Sequence, residues 1–315
     1  MNDEVLNNDI IEYIISEESK GLRADLAIAQ ENQQFSRSLI KKWINKGNIL
    51  INGNTLKPRD TLAENDKITI IPEENINPEE IIPEKIQLNV EYQDQDLIVI
   101  NKQCGIIAHP AAGNHKGTLA NGLVYLFPEL KNLPRSGLIH RLDKDTTGLL
   151  IIARNIKSYT VLVKQMQNRE IKKFYIAYSH GLIMKNDTVH QPISRHKTDR
   201  KKMSVNANGK EAITEYEVIK NFKKSTKLKI KLHTGRTHQI RVHMHFKGYP
   251  LIGDQTYGSK MTSIENNNDY LKKFKRQALH AYKLEFDHPL TKLKIKLESK
   301  LPKDLQDLEK ILENE

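Results

Sequence analysis

Two carboxylates, Asp143 and Asp145, stand two residues apart in the polar stretch Gly137-Leu-Ile-His-Arg-Leu-Asp-Lys-Asp-Thr-Thr-Gly148, directly before the apolar run Leu149-Leu-Ile-Ile-Ala153. Loops that abut core strands are where a rigid scaffold holds reactive groups still. A carboxylate pair suggests acid and base work on a glycosidic bond, but two residues apart on a loop they need not converge on one scissile bond. The plainer role for Asp143 is pairing with Arg141 or capping a turn. His233, His238, His243 and His245 raise metal binding. Their spacing matches no metal motif and no cysteine or glutamate stands among them, so they are read as structural or RNA-facing, with His243 and His245 on one strand face. Cys104 is the only cysteine. It excludes an intrachain disulfide, a cysteine zinc ribbon and a one-chain iron–sulfur cluster, and with no local His or Lys pattern it reads as a small buried residue. Neither G-x-x-x-x-G-K-[ST] nor G-x-G-x-x-G occurs, so nucleoside triphosphate and dinucleotide sites are not indicated.

Charge tells more about the partner. Fifty Lys and Arg against 39 Asp and Glu give a net charge of +11 over 315 residues, which points to a polyanion. The excess is blocked. Lys220 to Lys247 holds nine basic residues and no acidic one, and Arg195 to Lys202 adds five against Asp199. A third block, Lys20 to Arg59, has eight against Asp25 and Glu31. One such run is usually a solvated face, whereas three in one chain favour a phosphate-binding surface. Tyr175, Tyr178, Phe246, Tyr249 and Tyr257 lie near these blocks and are candidates to stack on unpaired bases, the alternative being core packing.

The elements that would position these groups follow from periodicity. Met1 to Glu18 carries six acidic and no basic residues and reads as a flexible leader; it lacks the basic and apolar regions of a signal peptide. Ser36 to Lys46 sets Leu39, Ile40, Trp43 and Ile44 on one helical face, capped by Ser36 or Ser38, with Arg37, Lys41 and Lys42 on the other. Ile49-Leu-Ile51 and Ile68-Thr-Ile-Ile71 read as strands, with Asn52-Gly53-Asn54 as a turn. Pro72 to Glu84, with three prolines and five glutamates, has linker composition. Beyond it, Leu97-Ile-Val-Ile100, Leu149–Ala153, Tyr175–Tyr178, Leu228–Leu232 and Leu293–Leu297 read as strands, and Ser158 to Arg169 as a helix capped by Ser158. Nothing approaches the ~20 apolar residues of a membrane span.

His140-Arg-Leu-Asp-Lys-Asp-Thr-Thr-Gly-Leu149 resembles the signature of the RluA-type pseudouridine synthases. Asn101-Lys-Gln-Cys-Gly-Ile-Ile-Ala-His-Pro110 resembles their first motif, Lys173-Phe-Tyr-Ile-Ala177 carries their tyrosine, and Leu232-His-Thr-Gly-Arg-Thr-His-Gln-Ile-Arg-Val-His243 resembles their basic motif. Gly253-Asp-Gln-Thr-Tyr-Gly258 and Arg276-Gln-Ala-Leu-His-Ala281 complete six in order. Residues 23 to 85 resemble an S4 RNA-binding domain. Thr147 departs from a frequent serine, and the leader has no counterpart. The resemblance implies an α+β protein: a catalytic domain built on a mixed, largely antiparallel sheet at 88–315, a small N-terminal S4 α/β domain at 20–72, a linker at 73–87 and the leader at 1–19. It implies isomerisation of uridine to pseudouridine in 23S ribosomal RNA or a large-subunit precursor, in helix 69, by a cytoplasmic monomer without membrane, metal or other cofactor. Asp143 would act at C1′, Arg241 would pair with it, with Arg236 as the substitute, and Tyr175 would lie against the uracil and help remove the C5 proton. Arg141 would fill the place of the flipped base, and His140, Arg37, Lys41, Lys42, Arg195 and Arg236 would meet RNA. An assembly factor without catalysis and a metal-dependent RNA hydrolase using the histidines are the alternatives.

Overall fold

The structure, a computed structural model, describes residues 10–32, 35, 37–71, 81–110, 114–199, 201–258 and 269–314. The chain divides between residues 80 and 81 into two compact units. In the first, helices α1 (Ala24–Glu31) and α2 (Arg37–Lys46) accompany an antiparallel sheet of order β1-β4-β2-β3, with β1 at Ile11–Ile14, β2 at Ile49–Ile51, β3 at Asn54–Thr55 and β4 at Lys67–Ile70. Asn52 and Gly53 both take positive φ, 47° and 80°, the backbone that a two-residue hairpin needs. Ile40, Trp43 and Ile44 of α2 are buried against Ile28, Ile49, Ile68 and Ile70, which gives the expected helical face its packing partner. Lys41 and Lys42 are exposed on the opposite face. The Leu39 side chain and the Ser36 cap lie outside the described residues, as do residues 1–9 and the part of the expected linker at 72–80.

The leader reading needs correction over its second half. Ile11–Ile14 pairs with all four residues of β4, and Ile15 is fully buried. Its period-two pattern, Ile11 and Tyr13 inward with Glu12 outward, is a strand signal that the count of acids conceals. Arg37, half-exposed, has a partner that the sequence did not reveal. It donates to Asp25, as does Arg23, and the Asp25 side chain is only 3% exposed. Burial raises the Asp25 carboxyl, and the bonds from Arg37 and Arg23 outweigh it and hold the group below its usual range. A depressed folded-state value stabilises at neutral pH and stops doing so as acid protonates the group, below about pH 4. Arg37→Ala should therefore cost about 0.5–1.5 kcal/mol at pH 7, since half-exposed arginines are screened, and much less at pH 3. Urea midpoints at the two pH values test this; an equal loss at both would refute the ion-pair role.

The second unit is built on a nine-stranded sheet. Its order is β5 (Asn89–Gln93), β6 (Leu97–Lys102), β7 (Thr147–Ala153), β14 (Leu279–Asp287), β8 (Lys172–His180), β13 (Ser225–Leu232), β12 (Ile213–Asn221) and β9 (Asp187–His190), with β15 (Lys294–Glu298) also pairing with β14. Only the β7–β14 pairing is parallel, so the sheet is mixed and largely antiparallel as the resemblance implies. A separate hairpin joins β10 (Ile193–Arg195) to β11 (Met203–Val205). Both faces of the sheet are covered, which explains why the central strands read as unbroken apolar runs. Ile98, Ile100, Leu150 and Ile152 pack with α3 (Leu119–Leu126) and α5 (Gln239–Phe246). Leu97, Val99, Leu149 and Ile151 point the other way, to Leu162 of α4 (Ile156–Gln167). The short α6 (Asp269–Lys273) and the C-terminal α7 (Lys303–Glu313) close a further cluster around Tyr178. No helix among the described residues is long and apolar enough to cross a membrane.

Three local expectations change. The cap of α4 is Asn155, whose side chain accepts from Ser158 N; the Ser158 hydroxyl instead donates to Asp96. His243 and His245 lie on a helix, α5, rather than a strand. Residues 81–88 dock on α3, with Asn121 donating to Ile82 O and Glu84 N–H bonding Asn121 O, so this end of the expected linker is part of the second unit.

Candidate active site

Asp143 stands on the loop that enters β7, and the loop is fastened from several sides. The buried Lys102 ammonium donates to the carbonyls of Gln103, Ile106 and Lys144, and Gly105 N–H donates to Lys144 O. Gln277 donates to Thr146 Oγ1, and the Thr147 hydroxyl meets His280 Nδ1 at 2.8 Å. A carboxylate held this way is preorganised, because its geometry does not have to be bought from the substrate.

Arg241 comes from the first turn of α5 and is 6% exposed. Its Nη1 donates to Asp143 Oδ2 at 2.9 Å, while Nε and Nη2 form a bidentate pair with Asp254 at 2.7 and 2.9 Å. Burial opposes the guanidinium charge, and the Asp254 and Asp143 carboxylates outweigh it, so the group stays protonated. Asp254 is held below its usual range: burial raises it, and the bonds from Arg241 and from the amides of Tyr257 and Thr256 lower it more. Asp254 thus fixes the fork that presents one free arm to Asp143. The Tyr257 ring lies 5.0 Å below the guanidinium. Its hydroxyl accepts from Met203 N–H and meets His238 Nδ1 at 2.8 Å. The other ring nitrogen, Nε2, lies 4.0 Å from Asp143 Oδ2. Burial lowers the His238 pKa and Asp143 counteracts it. Sequence reasoning missed Asp254 and read His238 as structural or RNA-facing and Tyr257 as a stacking candidate, not as partners of Arg241 and Asp143; the acid inside Gly253–Gly258, beside an arginine needing a second partner, was the available signal.

Two clefts, of about 520 and 510 Å³, meet at Asp143 and share Arg141, Leu142, His238 and Arg241. The first contains Tyr175, which points from β8 among Leu232, Ile240 and Leu279. Burial and the Asp143 charge both push the Tyr175 hydroxyl upward, so it remains a phenol. Arg141 is exposed where the clefts join. Arg236 lines the first cleft but its Nε donates to Glu211 O, and no bond from it to Asp143 forms among the described residues. Arg195 is exposed on the β10–β11 hairpin. His140 is corrected: its Nε2 accepts from Ile151 N–H, and burial, with Lys173 and Arg135, lowers its pKa to about 3, so it braces the loop as a neutral ring. Cys104 is exposed rather than buried.

The four histidines do not converge. His233 pairs with Glu215, His238 with Tyr257, and His243 lies between the Thr214 hydroxyl and Gln191 O. Elsewhere Asp94, Asp96 and His288 gather closely enough for a metal. Two of the three are already engaged: Asp94 accepts from Tyr92 OH, two amides and His288, and His288 Nδ1 accepts from the amides of Leu290 and Thr291. This cluster is a turn lock between β5 and β6.

A family model described as RNA pseudouridylate synthase matches residues 96–246, and an S4 domain model matches residues 22–68. Ribosomal large subunit pseudouridine synthase D of Pseudomonas aeruginosa is 42% identical over 288 residues, 90% of this chain and 90% of that protein. The protein of the same name from Xanthomonas campestris is 39% identical over 311 residues, 97% of this chain and 93% of its own. Among solved structures, human RNA pseudouridylate synthase domain containing 4 superposes with a TM-score of 0.56 at 26% identity, covering 69% of this chain and 90% of that one.

Proposed function

This chain belongs to the RNA pseudouridylate synthase family, with an S4 domain ahead of the synthase domain, and we propose that it isomerises uridines of 23S ribosomal RNA in helix 69. The observation that carries the reading is the buried chain Asp254–Arg241–Asp143 ending at a cleft lined by Tyr175. Isomerisation breaks N1–C1′, turns the uracil and joins C5 to C1′; C5 loses a proton and N1 gains one. Positive charge develops at C1′ as the bond breaks, and Asp143 supplies a carboxylate there, by bonding to C1′ or by stabilising its charge. Arg241 holds Oδ2, and no bond to Oδ1 forms among the described residues, so Oδ1 is the oxygen free to act. Tyr175 offers a flat apolar surface to the uracil. As a phenol it takes the C5 proton only while passing its own on, which makes it a platform first and a base second. Arg141, exposed beside Asp143, is suited to occupy the gap that a flipped nucleotide leaves in the RNA. The enzyme works as a cytoplasmic monomer.

RNA labelled with tritium at uridine C5 tests the reading, since the isomerisation must release that label to water. Purified protein should release it from a helix 69 stem-loop; no release from this RNA or from whole 23S RNA would overturn the proposal. Lys41 and Lys42 offer a separate test of anchoring. Their double neutralisation leaves Trp43 and Asp25 untouched, so the first unit should fold, and the salt slope of binding to long ribosomal RNA should flatten by up to ~0.7–0.9 per lost phosphate contact. An unchanged slope would make this face only a solvated surface.

A further inference from the structure

We propose that Lys173 and Arg135 form a seat for one phosphodiester of the substrate RNA next to the target uridine, an inference that rests on the isomerase reading. Lys173 lies two residues before Tyr175 on β8, lines the same cleft and is 6% exposed. Its ammonium reaches Met166 Sδ at 3.5 Å, a weak acceptor, and lies 3.5 Å from where a Cβ on Gly235 would stand. No carboxylate pairs with it among the described residues. Burial without a counter-charge pulls its pKa down to about 8.

Arg135 borders that cleft as well. It lines both clefts and has no ion pair among the described residues. Its backbone is left-handed at φ 53°, followed by Ser136 at 51° and Gly137 at 75°. Two consecutive non-glycine residues in this region are strained, and the Ser136 hydroxyl is buried without a partner. Gly137 lets the turn exist, because a Cβ there would sit 2.1 Å from Ala153 O on β7. The strained turn delivers a free guanidinium to the cleft mouth. The neutral His140 ring lines the same cleft and feels both charges. The neighbouring cations are already engaged, Arg169 with Glu211 and Arg236 with the Glu211 carbonyl.

Two unneutralised cations lining one cleft call for an anion. A uracil oxygen carries no full charge and would not compensate both, whereas an RNA phosphodiester carries one and accepts from an ammonium and a guanidinium at once.

The test is a set of helix 69 stem-loops, each with an uncharged methylphosphonate at one phosphodiester within two nucleotides of the target, assayed with wild-type protein and Lys173→Met. At one position the methylphosphonate should raise KM about 10-fold in wild type, as expected for a charge-assisted hydrogen bond. Lys173→Met should raise KM similarly on natural RNA, and the two changes together should do little more than either alone. Multiplying effects at every position, or a loss confined to kcat as expected for a lysine acting on the base, would overturn the seat. If Lys173→Met does not fold, the exposed Arg135→Gln goes through the same set with the same criteria. Wild type that makes no pseudouridine in the natural stem-loop or in whole 23S RNA would instead refute the isomerase reading itself.

Discussion

Asp143→Asn should reduce turnover by ~10³–10⁴-fold while leaving RNA affinity within a few-fold. The amide is nearly isosteric with the carboxylate, and its oxygen can still accept from Arg241 Nη1, so the ion pair becomes a hydrogen bond in the same place. What disappears is the negative charge at C1′. The loop should not move, because Lys102, Gln277 and His140 hold it independently of the Asp143 side chain. Single-turnover release of tritium from C5, measured beside binding of the same RNA, separates chemistry from affinity. Near-normal turnover would remove Asp143 from the reaction.

Arg241 carries the second large effect, and here chemistry and stability should fall together. Arg241→Met leaves the Asp254 side chain, which is 0% exposed, without its bidentate partner, and breaking a buried pair from one side costs about 3–5 kcal/mol. The amides of Thr256 and Tyr257 still bond Asp254, which places the expected loss at the lower end of that range. Arg241→Lys restores charge but not the fork, since one ammonium cannot hold Asp254 at two oxygens and Asp143 at a third with the same geometry. Activity should drop ~10²-fold with most of the stability recovered. Arg236→Lys should be mild, because Arg236 bonds a backbone carbonyl and not Asp143. A silent Arg241→Lys beside a damaging Arg236→Lys would reverse the assignment. Urea unfolding and turnover of the three variants decide it.

The three residues proposed for catalysis were legible because they fall in contiguous motifs. Asp143 lies in the stretch before β7, Tyr175 on β8 and Arg241 in the basic motif, and the fold brings all three to one cleft. What the sequence concealed was where charges are spent. Arg37 looks like one more free cation in a basic block, yet it serves a buried aspartate on another helix. His140 looks like an RNA contact until the distant amide of Ile151 takes its lone pair. Asp254 is invisible for the same reason, since its meaning depends on an arginine 13 residues earlier. In β1 local composition misled: acids dominate the count, while the alternation that makes a strand involves Ile11 and Tyr13. Helix α5 was misread because its buried polar residues, Gln239, Arg241 and His243, blur the apolar stripe that marks a helix.

Pseudouridine mapping at single-nucleotide resolution in ribosomal RNA from cells lacking this protein is the most direct measurement. Modification should vanish at uridines of helix 69 in 23S RNA, return with the wild-type gene and stay absent with Asp143→Asn. A map identical to that of the parent cells, or full restoration by Asp143→Asn, would contradict an isomerase acting on that RNA through this carboxylate.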